Sequence, residues 1–305
     1  MHAERLAIRA PRRPRASLRH RLAERGLDRT VLLLVPALVV LALLFIYPFI
    51  YGIELSLQPA HGGTFSQYRD FFTDAYQRGS LLISLKLGLP GALISVAGAL
   101  PVAYRMRGRM RGKRGLTIVL LLPITFGSVL MAQGLLTLLG PGGWVNRVLT
   151  GIGLVGEPVR FTYSYWGVLI AEVLGCFPFA FLLLLGYVSG IDPSLERAAA
   201  TLGAGPRQRF RGVMLPLLAP GLAMTFCLAF VLAFSVFPSA VLIGQPAGAT
   251  HVITVAAYRA AFEKFDYAQA SAIAMIMAVV ELTVVAVVLT LRGRLYRGPA
   301  GGGKG

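Results

Sequence analysis

Residues 31–53 read VLLLVPALVVLALLFIYPFIYGI and contain no charged side chain. An α-helix rises about 1.5 Å per residue, so about 20 apolar residues cover the roughly 30 Å hydrocarbon layer of a bilayer. Five further stretches of the chain have this length and character. Because backbone polar groups must bond internally in lipid, the sequence predicts an all-α integral membrane protein with six transmembrane helices: 31–53, 81–104, 115–139, 163–189, 213–243 and 267–291.

The composition of the whole chain agrees with a membrane protein. Its 305 residues are 56% hydrophobic and 14% charged, and the mean hydropathy is +0.69. A soluble domain carries about 25% charged residues. These values exclude an ordinary soluble enzyme, a disordered chain and, with two cysteines, a small disulfide-stapled module.

The net charge of +17 is distributed unevenly between the connections. Alternate connections hold 23 basic residues and the others hold 6, with Lys86 inside a span. Short cytoplasmic loops carry an excess of Lys and Arg, so both termini are predicted to be cytoplasmic. The basic connections are 1–30, 105–114, 190–212 and 292–305.

This distribution divides the chain into three parts. Residues 1–30 form a basic cytoplasmic segment, 31–291 the transmembrane domain with a loop at 190–212, and 292–305 a basic glycine-rich tail. A nucleic-acid partner would also suit the arginines of the first segment, but a juxtamembrane anchor on anionic lipid is the favoured interpretation. We expect a lipid bilayer and no nucleic acid as partner.

The connection between the fourth and fifth spans differs from the others. Residues 190–222 read GIDPSLERAAATLGAGPRQRFRGVMLPLLAPGL. Asp192 followed by Pro193 is typical of a helix start, and Gly203 suits a left-handed helix stop. The sequence predicts a helix from Pro193 to about Leu202, a tight turn, and a second helix that begins at 205–206.

The first helix of this loop has a slim apolar stripe. Leu195, Ala199 and Leu202 lie on one face at spacings of four and three. Such a helix fits a cleft of another protein. A helix lying on the lipid surface, or a merely capped loop, would also explain the pattern.

The loop also carries a long-spaced motif. Ala198 and Ala199, followed after three residues by Gly203 and after nine more by Val213-x-Leu215-Pro216, resemble the signature EAA-x3-G-x9-I-x-LP of permease subunits of binding-protein-dependent ABC importers. The first span and FDYAQASAIAMIMAVVEL before the last span are similar to the same subunits. Arg197 stands where the signature has glutamate, and Glu196 precedes it.

The resemblance implies the type I ABC importer permease fold and a division of labour between chains. The loop would dock into a separate ABC ATPase subunit, a second permease would complete the pathway, and a solute-binding protein would deliver substrate. We expect Glu196 to take over the contact of the signature glutamate. The implied coupling residues are Glu196, Arg197, Ala198, Ala199, Leu202, Gly203, Val213, Leu215 and Pro216.

The chain offers no nucleotide site of its own. Residues 298–305, GPAGGGKG, imitate a phosphate-binding loop, but Gly305 stands in place of its hydroxyl residue. We interpret them as a flexible tail. No catalytic residue, metal site or cofactor is predicted; ATP would be bound by partner subunits, and the chain would be a transport subunit rather than an enzyme.

Three ionisable residues fall inside predicted spans: Lys86, Glu172 and Glu281. Each costs about 2.5–3.5 kcal/mol near a helix centre on insertion scales. The two glutamates could line a substrate path, pair with Lys86 or face the partner permease. Lys86, close to the outer end of its span, could instead extend its ammonium to the interface.

The sequence therefore predicts a permease of the bacterial inner membrane that works by alternating access. The favoured substrate is a small polar or cationic solute such as a polyamine, with sugar, iron or thiamine as alternatives. An ion-coupled secondary transporter or channel, or an intramembrane enzyme, is the competing class.

Overall fold

The computed structural model describes residues 29–59, 62–108 and 112–295, and these residues form helices and short connections. Within these described residues, six helical segments are long and apolar enough to cross a membrane, which confirms the predicted number of spans. They are Leu34–Ser56, Ala75–Met106, Lys113–Gly151, Tyr165–Ser189, Pro206–Phe234 and Tyr267–Gly293.

The chain divides into two compact units, with the boundary between Gly52 and Ile53. In the first unit, helix α1 (Arg29–Leu41) continues through the π-helical residues Ala42–Ile46 into helix α2 (Tyr47–Ser56), which crosses the boundary. Most side chains from 34 to 51 are exposed, with Leu43 at 62% and Phe45 at 68%. An apolar helix exposed on all sides suits a lipid environment.

The second unit contains the remaining helices. They are α3 (Ser66–Thr73), α4 (Ala75–Met106), α5 (Lys113–Leu139), α6 (Trp144–Gly151), α7 (Tyr165–Ser189), α8 (Pro193–Thr201), α9 (Pro206–Arg209), α10 (Leu215–Phe234), α11 (Pro238–Leu242), α12 (Ile253–Tyr258) and α13 (Tyr267–Leu295). Phe210–Met214 and Arg259–Glu263 are π-helical.

Helices α4, α7 and α10 pack around the core of this unit. Phe181, Phe230 and Phe234 are fully buried there. Gly88 of α4 lies so close to α10 that a Cβ atom would be 3.1 Å from Cα of Phe234. Small residues at such crossings let helices approach closely, which replaces the hydrophobic driving force that is missing within lipid.

The second span is longer than predicted. Helix α4 begins at Ala75 instead of residue 81, because Asp74 caps it by accepting a hydrogen bond from the backbone N–H of Tyr76 at 2.8 Å. Lys86 therefore lies about three turns inside the helix rather than close to its outer end.

The fifth span ends earlier than predicted. Helix α10 stops at Phe234, and residues 235–237 leave the helical path before α11 begins at Pro238. The predicted range 213–243 was wrong here, because the residue before a proline disfavours helical geometry and Phe237 has φ −134°. A second interruption occurs in α5, where Gly127 has φ 69° and ψ 167°.

Candidate coupling loop and intramembrane cavity

The loop after α7 has the predicted helix–turn–helix form. Asp192 precedes α8, and its Oδ1 accepts a hydrogen bond from the backbone N–H of Ser194 at 2.8 Å. This bond, with the nearby charge of Arg197, lowers the pKa of Asp192. Pro193 occupies the first turn, where its missing N–H has no cost.

Gly203 makes the turn between the two loop helices. Its φ of +83° lies in the left-handed region that favours glycine. The backbone N–H of Ala204 donates to the carbonyl oxygen of Ala199 at 3.0 Å, which closes the end of α8. A side chain other than hydrogen at position 203 would strain this turn.

The second loop helix runs directly into a span. Helix α9, the π-helical Phe210–Met214 and α10 follow one another without a break. Val213 is half-buried and Leu215 is partly exposed. Pro216 lies just after the π-helical residues and, having no backbone N–H, leaves one hydrogen bond of this helical run unmade. The loop and α10 are therefore joined by continuous helical backbone.

One face of α8 points away from the rest of the chain. Leu202 is 89% exposed and Leu195 is 45% exposed, while Ala199 between them is half-buried. Arg197 and Ala198 are also exposed. Two large apolar side chains and one guanidinium thus stand on a slim helix without a partner in the described part of the chain.

The opposite face of α8 is tied to the end of α4. Glu196 is 9% exposed; its carboxylate is ion-paired with Arg107 and accepts a hydrogen bond from the hydroxyl of Tyr104 at 3.1 Å. Arg107 also donates to Sδ of Met214 at 3.2 Å, and the Tyr104 ring packs edge-on against Phe210. Glu196 was expected to take over the contact of the signature glutamate, but in this structure its carboxylate is paired with Arg107 and Tyr104 of the same chain.

A cavity of about 280 Å³ lies where α5, α7 and α10 are near the interrupted segment 235–237. Glu172 lines it and is 7% exposed; its Oε1 accepts a hydrogen bond from the hydroxyl of Ser239 at 2.6 Å. Ser128, next to the interruption at Gly127, and Ser235 add polar groups to the lining. None of the described residues that line this cavity is Lys, Arg or His.

A second carboxylate reaches the same interruption from α13. Oε1 of Glu281 accepts a hydrogen bond from the hydroxyl of Ser235 at 2.6 Å. Lys86 does not join the two glutamates: its side chain is exposed and forms no ion pair among the residues that the structure describes. The alternative of a pair between a glutamate and Lys86 was therefore wrong. Instead, the hydroxyls of Ser235 and Ser239 donate hydrogen bonds to the two carboxylates.

Comparison with known proteins identifies the chain. Residues 19–297 match the family described as "Binding-protein-dependent transport system inner membrane component". The chain belongs to this family of ABC importer permeases. The permease is accordingly a multi-pass protein of the bacterial inner membrane and a transport subunit.

Curated relatives of the permease have several different names. It is 30% identical over 208 residues to a probable sulfate transport system permease protein of Prototheca wickerhamii. That alignment covers 68% of this chain and 80% of the relative. It is 29% identical over 251 residues to a putative ferric transport system permease protein of Haemophilus influenzae, covering 78% of this chain but 39% of that longer relative. A thiamine transport system permease protein of Brucella abortus is 29% identical over 257 residues, covering 83% of this chain and 46% of the relative.

Solved structures confirm the fold. A chain of a bacterial ABC transporter involved in the import of the acidic polysaccharide alginate matches 90% of the permease and 99% of its own length, with a TM-score of 0.75 and 22% identity. A second structure contains the alginate transporter with a pentasaccharide-bound periplasmic protein and gives a TM-score of 0.76 at 21% identity, covering 90% of the permease and 98% of that chain.

Both sites in the permease include residues that the sequence did not single out. Arg107 served only as one of the basic residues that indicate topology, and Tyr104 as the end of a span. Opposite charges at Arg107 and Glu196, on two loops predicted to share one side of the membrane, were an available signal for the pair. No signal of that kind linked Ser239 to Glu172, because hydroxyl-bearing residues are common in spans.

Proposed function

We propose that this permease forms half of the substrate pathway of an ATP-driven importer and that the loop 190–212 receives the motion of a separate ATPase subunit. The supporting observation is the continuous helical path from α9 into α10, preceded by a helix whose outer face has no partner among the residues that the structure describes. A second permease, a copy or a homologue, supplies the other half. A solute-binding protein delivers substrate at the opposite side.

The proposed orientation places both termini and this loop in the cytoplasm. It rests on the 23 basic residues in alternate connections against 6 in the others. ATP is hydrolysed by the partner subunits, and this chain contributes no covalent chemistry and no cofactor. Its work is to change the side to which the pathway opens.

The pathway proposed for the substrate passes the cavity between α5, α7 and α10. Broken helices within a membrane are tolerated where they line a cavity, and two of them, at Gly127 and at 235–237, adjoin this one. Glu172 and Glu281 bring two carboxylates to the interruption without a neighbouring cationic side chain in the cavity lining. This favours a solute that is cationic or rich in hydrogen-bond donors.

Among solutes named for relatives or expected from the sequence, this chemistry favours thiamine, ferric iron or a polyamine over sulfate. A divalent anion would find no cationic side chain among the described lining residues to compensate its burial. Putrescine and spermidine remain the favoured examples of the class.

Reconstitution tests the function. The permease is placed in proteoliposomes with its ATPase subunits and binding protein, and ATP turnover is measured while candidate solutes are added one at a time. We expect one solute to stimulate turnover and to enter only with ATP. Uptake by the permease alone, driven by an ion gradient, would establish a secondary transporter instead.

Glu172→Gln tests the pathway, because the amide keeps the size of the side chain and can still accept from Ser239. For a cationic solute we expect the half-saturating concentration for transport to rise about tenfold. The control is Glu157→Gln, which changes an exposed carboxylate in the connection after α6. Unchanged uptake in Glu172→Gln would remove this cavity from the pathway.

A further inference from the structure

The exposed charge of the loop 190–212 is strongly one-sided. It contains four arginines and two acidic residues, Asp192 and Glu196. The buried Glu196 is neutralised within the chain by Arg107. The Asp192 carboxylate, although exposed, is engaged with the start of α8.

The arginines remain available on the outside. Arg197, Arg207 and Arg211 are exposed, and none of them forms an ion pair in the described ranges. Arg209 lies behind them, half-buried, and its Nε has no hydrogen-bond partner among the described residues. The outer surface of the loop is therefore electropositive around the apolar side chains of Leu195 and Leu202.

We infer that the groove which receives this loop on the ATPase subunit is acidic, and that a carboxylate there pairs with Arg197. This rests on the proposed function and specifies the chemistry of its partner. A guanidinium offers two parallel N–H donors that match a carboxylate. Charge complementarity of this kind raises the association rate and excludes grooves of the opposite sign.

Arg197 has the position required for this role. It stands one residue from Glu196, so the two side chains diverge by about 100° around the helix axis. The pairing of Glu196 with Arg107 holds its carboxylate inward, away from the exposed surface of Arg197. The same ion pair thus orients α8 and leaves its outer surface positive.

Binding of the purified ATPase subunits to the full-length permease tests the inference. The permease is held in nanodiscs of phosphatidylcholine, so that no anionic lipid competes, and affinity is measured at 50 and 300 mM NaCl. We expect wild-type affinity to fall with salt. Arg197→Glu should weaken binding at low salt by about tenfold, and Arg197→Ala by less.

Two variants separate charge from folding. Arg197→Lys keeps the charge but loses the two parallel N–H donors, so it should bind more weakly than wild type and clearly more tightly than Arg197→Glu. Arg160→Glu reverses an exposed arginine in a connection predicted to lie across the membrane and should leave affinity unchanged. A loss of binding in Arg197→Lys equal to that in Arg197→Glu would show that charge is not the cause and would overturn the inference.

The remaining outcomes are also decisive. Unchanged or tighter binding by Arg197→Glu would mean that the groove is neutral or basic. If that variant binds the ATPase normally but loses affinity for vesicles of phosphatidylglycerol, the surface serves lipid, and the inference is again overturned. Absence of any binding by the wild-type permease would instead refute the proposed coupling function, and the inference with it.

Discussion

The carboxylate of Glu196 is ion-paired with the guanidinium of Arg107, which joins helix α8 of the loop to the end of α4. The two side chains are 12% and 17% exposed, so the pair lies mostly out of water. If α8 moves as proposed, we expect this pair to carry its movement to the second span as well as to α10. The loop is thereby attached to two spans of the permease.

Glu196→Gln tests this attachment. We expect a loss of about 1–2 kcal/mol in the free energy of unfolding, because a hydrogen bond between charged groups is replaced by a weaker one. Uptake per ATP hydrolysed should fall several-fold while the ATPase subunits still bind. Thermal unfolding in detergent and flux in proteoliposomes measure the two effects.

The matched control for that variant is Glu263→Gln. Glu263 pairs with Arg259 at 3.8 Å, but its side chain is 59% exposed, so the pair contributes at most about 1 kcal/mol. Equal decreases in the free energy of unfolding in the two variants would show that the buried Glu196 pair contributes no more to stability than an exposed one.

Gly203→Val tests the turn between α8 and α9. A β-branched residue in left-handed geometry costs at least about 1–2 kcal/mol, so the turn should rearrange and ATP-driven uptake should collapse while the protein still inserts into the membrane. Gly205→Ala is the control, because Gly205 has φ −67° and open space around a Cβ. Full uptake by Gly203→Val would contradict the role of the loop.

Gly221→Ala tests the contact between α7 and α10. The added Cβ would lie 2.7 Å from Cδ2 of the Tyr187 ring, closer than such atoms approach in real structures. We expect a loss of about 1–3 kcal/mol in the free energy of unfolding. Gly212→Ala, with nothing within 4 Å, should be nearly neutral, and Tyr187→Ala should suppress the defect if the ring causes it.

We expect the stability of the permease to depend on pH because His251 is buried. The residue is 2% exposed, and its ring stacks on Tyr76 with centroids 3.8 Å apart. Burial lowers the pKa of His251, and the charge of Arg259 acts in the same direction, whereas a hydrogen bond to the Pro246 carbonyl and the charge of Asp74 oppose it.

The sign follows from the unfolded chain, in which histidine has a pKa of about 6.5. Below that pH the unfolded state binds a proton that the folded state resists, so stability falls as the pH drops and is fully present above it. We expect the unfolding midpoint to fall between pH 7.5 and pH 5 by more in wild type than in His251→Gln. Identical pH profiles would contradict the prediction.

The sequence alone determined the number of spans and the local form of the loop. Length of an apolar run decides whether a helix can cross the hydrocarbon layer, and the turn chemistry of Asp192, Pro193 and Gly203 acts on the few residues beside each of them. Both signals are local and need no knowledge of packing. The orientation of the spans, read from charge, stays a prediction.

Only the tertiary structure decided which groups meet. Glu196 pairs with Arg107, 89 positions away, and Glu172 accepts from Ser239, 67 positions away. Periodicity places a side chain on a face of its own helix, but the neighbour of that face depends on how separate helices pack. The early end of α10 at Phe234 also depends in part on packing between helices. Pro238 was a signal for a break, but an apolar run has the same composition whether it forms one helix or two. In the structure, Ser235 and Ser239 on either side of the break donate to Glu281 and Glu172 of other helices and stabilise the interrupted path.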